Sequence, residues 1–84
     1  MTTNTLAILE QVREERTFQD TKWGEQNHDA GGWGLILGEE FGEACKAALE
    51  RDGSGYRAEL VQVAAVAVAA IEAYDRHGLM GKVA

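Results

Sequence analysis

The segment from Leu60 to Ile71 does most to limit what this chain can become. Only Gln62 interrupts a run of leucine, valine, alanine and isoleucine, so a helix through it has almost no polar face. A helix that is apolar all round must be surrounded by other helices. The run is 12 residues long, against the roughly 20 needed to cross a bilayer. It therefore reads as the centre of a soluble helical protein and not as a membrane span. Absence of proline and abundance of Ala, Leu, Glu and Arg favour helix in the rest of the chain.

The apolar spacing Leu6, Leu9 (or Ala7, Ile8) and Val12 suits a first amphipathic helix, capped by Thr3 or Asn4 and ending near Phe18. From Asp20 to Gly32 no period is sustained, and the segment reads as a loop carrying Lys22, Trp23, Gln26 and His28. A second helix is expected from about Trp33 to Arg51. A glycine turn at Asp52–Gly55 follows, then a third helix from the Ser54 cap to His77. Gly34, Gly38 and Gly42 form one line on helix two, a pattern that lets another backbone approach closely.

The chain of 84 residues forms one domain. Two further helices in so short a chain do not enclose helix three. The expected fold is therefore all-α, a three-helix protomer that completes a helical bundle by oligomerisation as a homodimer or homotetramer. Cys45 is the sole cysteine; no disulfide forms within the chain, and a reducing, cytoplasmic setting is expected. Cys45 itself reads as a small packing residue. The net charge of -6, from 14 acidic and 8 basic residues, excludes the basic patch that duplex nucleic acid requires.

Chemistry concentrates in helix two. At 3.6 residues per turn, Trp33, Ile36, Glu40, Glu43 and Ala47 share a stripe, so two carboxylates interrupt an apolar face, while Leu37, Phe41, Ala44 and Ala48 continue the core beside it. Glu59 and Gln62 repeat the motif on helix three. If the two helices pack antiparallel, three carboxylates and an amide oxygen share one space and offer hard oxygen ligands to Mg²⁺. The alternative is a solvated face of ordinary surface glutamates. Both readings stand at this point.

Glu39-Glu40-Phe41-Gly42-Glu43 followed by Glu59-Leu60-Val61-Gln62 resembles the EExxE…ExxD signature of MazG-like nucleotide pyrophosphohydrolases, part of the all-α NTP pyrophosphatase superfamily. The resemblance runs from about Phe18 to Glu72. It implies a helical homo-oligomer that uses Mg²⁺, or Mn²⁺, to cleave a nucleoside triphosphate into the monophosphate and pyrophosphate. Carried over by position, Glu40, Glu43 and Glu59 are metal ligands. Gln62 stands where the family has an acid; its amide oxygen still ligates but brings no charge. The resemblance leaves Glu39 to orient or deprotonate the attacking water. Trp23 and His28 lie where related dCTP-cleaving enzymes contact the nucleotide, with Gln26 beside them, and Lys22, Lys46 and Arg57 are the cations available to phosphate. Trp33 is expected in the core and His77 at the helix C-terminus, where its charge complements the dipole. Two further readings accompany this one. In the first, Gln62 marks a catalytically weakened nucleotide-binding module. In the second, the glutamates of a helical adaptor bind a basic partner.

Overall fold

In a computed structural model that describes residues 1–82, the chain forms three helices: α1 (Thr3–Trp23), α2 (Ala30–Leu49) and α3 (Gly53–His77). The all-α expectation holds. The helix α3 lies in the middle, with α1 and α2 both packed on it, and among the described residues α1 and α2 make no contact with each other. Pairing of Gln11 with Arg57 near one end, and of Gln26 with Arg76 near the other, sets α1 roughly parallel to α3. The turn at residues 50–52 folds α2 back antiparallel along α3, with Arg51 at φ 57°.

Each helix start follows from a short polar side chain, though not the ones expected. The Thr2 hydroxyl accepts from the Thr5 amide at 3.1 Å, one residue earlier than the Thr3 or Asn4 cap. The Asp29 carboxylate accepts from the Gly32 amide at 2.7 Å, which draws Gly31 and Gly32 out of the loop and into the first turn of α2. Asp52, and not Ser54, caps α3 through the Gly55 amide at 3.0 Å. A side-chain acceptor satisfies N–H groups that the first turn leaves unpaired, and a charged one also complements the helix dipole.

The first helix also runs past Phe18. Arg16 reaches Asp20 one turn on at 3.0 Å, and the hydroxyls of Thr17 and Thr21 bond back to carbonyls four residues earlier. Gly24, at φ 74°, then ends the helix with its amide on the Asp20 carbonyl at 2.8 Å. Lys22 and Trp23 therefore sit on the last turn of α1 rather than in a loop.

The core lies along the α2–α3 seam. Trp33 is buried against Val66, Ala69 and Ala73, with Ile36, Leu37 and Ala70 packed around it. Alanines on α3 leave room for the indole. Along α2 the seam follows Trp33, Leu37, Glu40, Ala44 and Ala47, steps of four and three residues that keep one line facing a partner helix. This line places Glu43, Phe41 and Ala48 on exposed surface, against the expectation that they continue the inward stripes. Cys45 is exposed as well, and is not a packing residue.

Two neighbours cover only part of α3. Leu60, Val68 and Ile71 remain exposed, the last at 60%, so the helix is not enclosed within one chain. The N-terminal half of α1 is similarly bare, with Leu6, Ile8 and Leu9 exposed and only Val12 and Gln19 of the whole helix buried. No described helix is long and apolar enough to cross a membrane.

The glycine line on α2 receives no backbone within this chain: a Cβ built on Gly34, Gly38 or Gly42 meets open space. Glycine in a helix interior costs up to ~1 kcal/mol relative to alanine when nothing requires it. Gly38→Ala is therefore expected to raise unfolding stability by up to ~1 kcal/mol, read as a higher urea midpoint at unchanged slope. A lower midpoint would show that another backbone occupies this line.

Candidate functional site

The antiparallel seam brings Glu40 of α2 and Glu59 of α3 together. Both are half-buried, and their carboxyls lie within hydrogen-bonding reach of one another. Burial pushes the Glu40 carboxyl above its ordinary range. The shared hydrogen bond with Glu59 adds to this, followed by the negative charges of Glu59, Glu39 and Glu43. All of these causes disfavour a second negative charge at one spot. Such a pair is held by a shared proton or by a cation.

Glu40 also forms part of the wall of a cleft of about 280 Å³, close to the lower end of the usual ~300–1,000 Å³ range for small-molecule sites. Its other walls are the last turns of α1, the 24–29 loop and the middle of α3. Trp33 and Ile36 supply an apolar floor, and Trp23 stands at the α1 side. Trp23 is 55% exposed, and Lys22 Nζ sits 4.6 Å from the centre of its ring, a cation–π contact that occupies one face.

A polar network unsuspected from sequence lines this cleft. Arg16 donates from Nε to Glu72 of α3 at 3.0 Å, from Nη1 to Gln19 at 3.3 Å and from Nη2 to Asp20 at 3.0 Å. Burial acts to lower the Arg16 pKa, but its hydrogen bonds to Glu72 and Asp20 and their charges outweigh it and leave the group more basic than usual. Gln19, itself buried, donates to Gln62 Oε1 at 3.5 Å. Arg76 closes the far end, bonded to the loop and 3.6 Å from Glu25. The Asn27 hydrogen bond, then the Arg76 charge, hold the Glu25 carboxyl below its ordinary range. The one available signal was spacing: Arg16, Gln19 and Asp20 share a face of α1, as Glu72 and Arg76 share one of α3.

The cleft gathers Trp23, Gln26, Glu40 and Gln62, with Glu59 against Glu40. It does not gather the rest. Glu43 and Glu39 are exposed and form no part of the wall. The ring of His28 packs edge-on against Trp33, with centroids 5.0 Å apart, and so pins the loop to the core instead of facing the cleft. Lys46 lies 3.9 Å from Glu50, one turn along α2. Arg57 is bonded to Gln11 at 2.8 Å. His77 stands in the last turn of α3, as expected, and Trp33 is in the core, where its Nε1 is buried without a partner.

No group of three or more His, Cys, Asp or Glu side chains converges among the described residues, so the expected three-carboxylate cage is not assembled. The reason is the seam: its four-and-three spacing selects Glu40 and Ala44 and rotates Glu43 to the flank. What remains is a carboxylate pair. Mg²⁺ is commonly bound through one or two carboxylates, with water and substrate phosphates completing its octahedron, so the pair fits a metal that arrives with phosphate. The cleft wall carries four acids, Asp20, Glu25, Glu40 and Glu72, against two cations, Arg16 and Arg76. A polyphosphate enters such a wall only with a counter-cation.

Compared with protein-family models, curated proteins and solved structures, the chain gives no match.

The acid pair has a measurable consequence. The folded-state pKa of Glu40 is raised above its ordinary 4.5. Stability contributed by the protonated form is complete below the ordinary value and is lost as pH rises through the raised one. Glu40→Gln keeps a neutral group of the same shape at every pH. Its melting temperature is expected to exceed that of the native chain near pH 7, the advantage shrinking toward zero as pH falls to about 4. An advantage independent of pH would show that charge burial at Glu40 is not the cause.

Proposed function

We propose that this chain is a Mg²⁺-dependent nucleoside triphosphate pyrophosphohydrolase of MazG-like type, cleaving an NTP or dNTP to the monophosphate and pyrophosphate. The observation that carries the reading is the Glu40–Glu59 pair on the rim of a cleft that also holds Trp23, Gln26 and Gln62. The acidic motif supplies the resemblance, and the antiparallel α2–α3 pair supplies a physical reason for its spacing. In this reading Glu40 and Glu59 hold the metal, with Gln62 offering a neutral amide oxygen. Mg²⁺ (or Mn²⁺), when bound, neutralises the charge that builds on phosphate oxygens during transfer. The free indole face of Trp23 stacks a base and Gln26 hydrogen-bonds it. Glu39, exposed and next to Glu40 on α2, is left free of the metal and keeps the role of accepting the proton of the attacking water.

A second copy of the chain covers the exposed faces of α3 and α1 in this proposal. Chains of this length bury only about two-thirds of their surface and usually need such support. Light scattering at micromolar concentration is expected to give a dimer or tetramer mass; a monomer mass would remove this part of the reading.

One observation favours a second reading, a nucleotide-binding module with weakened catalysis. The Gln62 Oε1 accepts from Gln19 Nε2, so the position where the resemblance expects an acid is a neutral amide paired to another neutral amide.

Pyrophosphate release from a panel of NTPs and dNTPs, with Mg²⁺, Mn²⁺ or EDTA, tests both readings. Metal-dependent release is expected, and Glu40→Ala and Glu59→Ala are each expected to lower kcat/KM at least about a hundredfold, the scale of losing one electrostatic contact to a transition state. Full activity in either variant would overturn the site. In the same assay, a large gain in turnover on Gln62→Asp supports the weakened module, and no gain argues against it.

A further inference from the structure

The residues after α3 do not simply trail away. Gly78, at φ 71°, ends the helix with its amide on the Tyr74 carbonyl at 2.7 Å and turns the chain toward the 24–29 loop. The Leu79 carbonyl then accepts from the Ala30 amide at 2.8 Å, and the Lys82 amide donates to the Asn27 carbonyl at 3.1 Å. Between these two bonds Gly81 is buried and lies flat against the loop backbone. A Cβ there would stand 2.7 Å from the Asp29 nitrogen, 2.7 Å from the His28 carbonyl carbon and 2.8 Å from the Asn27 oxygen. Its φ of 70° lies in the left-handed region, so glycine is required twice over, by space and by conformation.

Arg76 grips the same loop as well. Its Nε donates to Asn27 Oδ1 at 2.9 Å and its Nη2 to the Gln26 carbonyl at 3.2 Å. Asn27 Nδ2 in turn donates to Glu25 Oε2 at 2.9 Å, and Glu25 lies near Arg76. A six-residue segment without secondary structure is thus tied at Glu25, Gln26 and Asn27, and at Ala30 just beyond it. These hydrogen bonds and the ion pair lead to Arg76 of α3 or to the strap that follows it, while His28 packs on Trp33 of α2. Loops lacking such ties open locally at little cost in free energy.

We propose that Arg76 and the Gly78–Lys82 strap are positioning elements that fix the 24–29 loop, and through it Gln26, against the nucleotide cleft. This rests on the nucleotide reading of the cleft only for its effect on substrate; the clasp itself is independent of it. Glu40 and Glu59 lie ten or more residues along α2 and α3 from Ala30 and Gly78, where the strap meets those helices. Loosening the loop therefore removes contacts made equally to substrate and transition state, which raises KM and leaves kcat in place.

The test uses the full chain and the variants Gly81→Ala and Asn27→Ala, neither of which alters a residue placed on the metal or base. Amide hydrogen exchange by NMR reads the Ala30 and Lys82 N–H groups directly. Exchange at Ala30 is expected to quicken at least about tenfold in Gly81→Ala and several-fold in Asn27→Ala, while Ala69 at the centre of α3 keeps its protection. Native-like exchange in both variants overturns the clasp, and so does equal loss at Ala69, which would mean general unfolding. In pyrophosphate release, KM is expected to rise at least about fivefold in Gly81→Ala with kcat within about twofold of the native chain. A loosened loop with KM unmoved overturns the positioning role. If the native chain releases no pyrophosphate, the activity reading fails, and the exchange arm still decides the clasp.

Discussion

Everything in this molecule depends on how Trp33 sits between α2 and α3. The indole is buried on Val66, Ala69 and Ala73, and the small side chains of α3 are what admit it. An aromatic side chain of this size buries roughly 150–250 Å², and in a chain with so few buried residues it fixes both the spacing and the register of the helix pair. Register matters because Glu40 lies two turns along from Trp33 on the same line. With Trp33 seated, Glu40 meets Glu59; a shift by one residue would turn that carboxylate toward solvent.

The same seam explains the tension in the acid pair. Two carboxyls pressed together without a cation raise the pKa of one of them, and an apolar pair would hold the helices with less opposition. Perturbed carboxyls of this kind occur at functional sites and in structural ion networks alike. The cleft beside the pair has an apolar floor, an aromatic wall and an excess of acid over base, a combination suited to a ligand that brings its own cation. Arg16 and Arg76 are already engaged with Glu72, Asp20 and the loop. Their evident work is to hold α1 and the loop in place around the cleft.

The central position of α3 has a second effect. Since α1 and α2 touch it and not each other, the site is assembled from three separate attachments to one helix: the seam, the Arg16 network and the strap after Gly78. Each uses different physics. The seam is apolar packing, the network is charge-assisted hydrogen bonding, and the strap is backbone pairing permitted by a glycine. Exposed Leu60, Val68 and Ile71 show that α3 has apolar surface beyond what these attachments use.

Much of this was legible in the sequence, because it depends on local pattern. The apolar run of residues 60–71, the glycine turn before it and the absence of proline determined three helices with the third in the middle. The burial of Trp33, and the meeting of Glu40 with Glu59, followed from periodicity and one antiparallel turn. Other features had no local signal. Whether Glu40 is joined by Glu43 or left with Ala44 depends on a rotation of about one residue about the α2 axis, and both stripes satisfy helical periodicity. Arg16 and Glu72 are distant in sequence and look like surface charges until α1 is laid along α3. His28 looks like a ligand until its ring is seen against Trp33. Gly81 looks like one more tail glycine until the loop is found pressed upon it. The sequence by itself determined which segments are helical and which acids are available; only the tertiary structure decided which side chains meet, because helix rotation and chain closure are set by packing between segments.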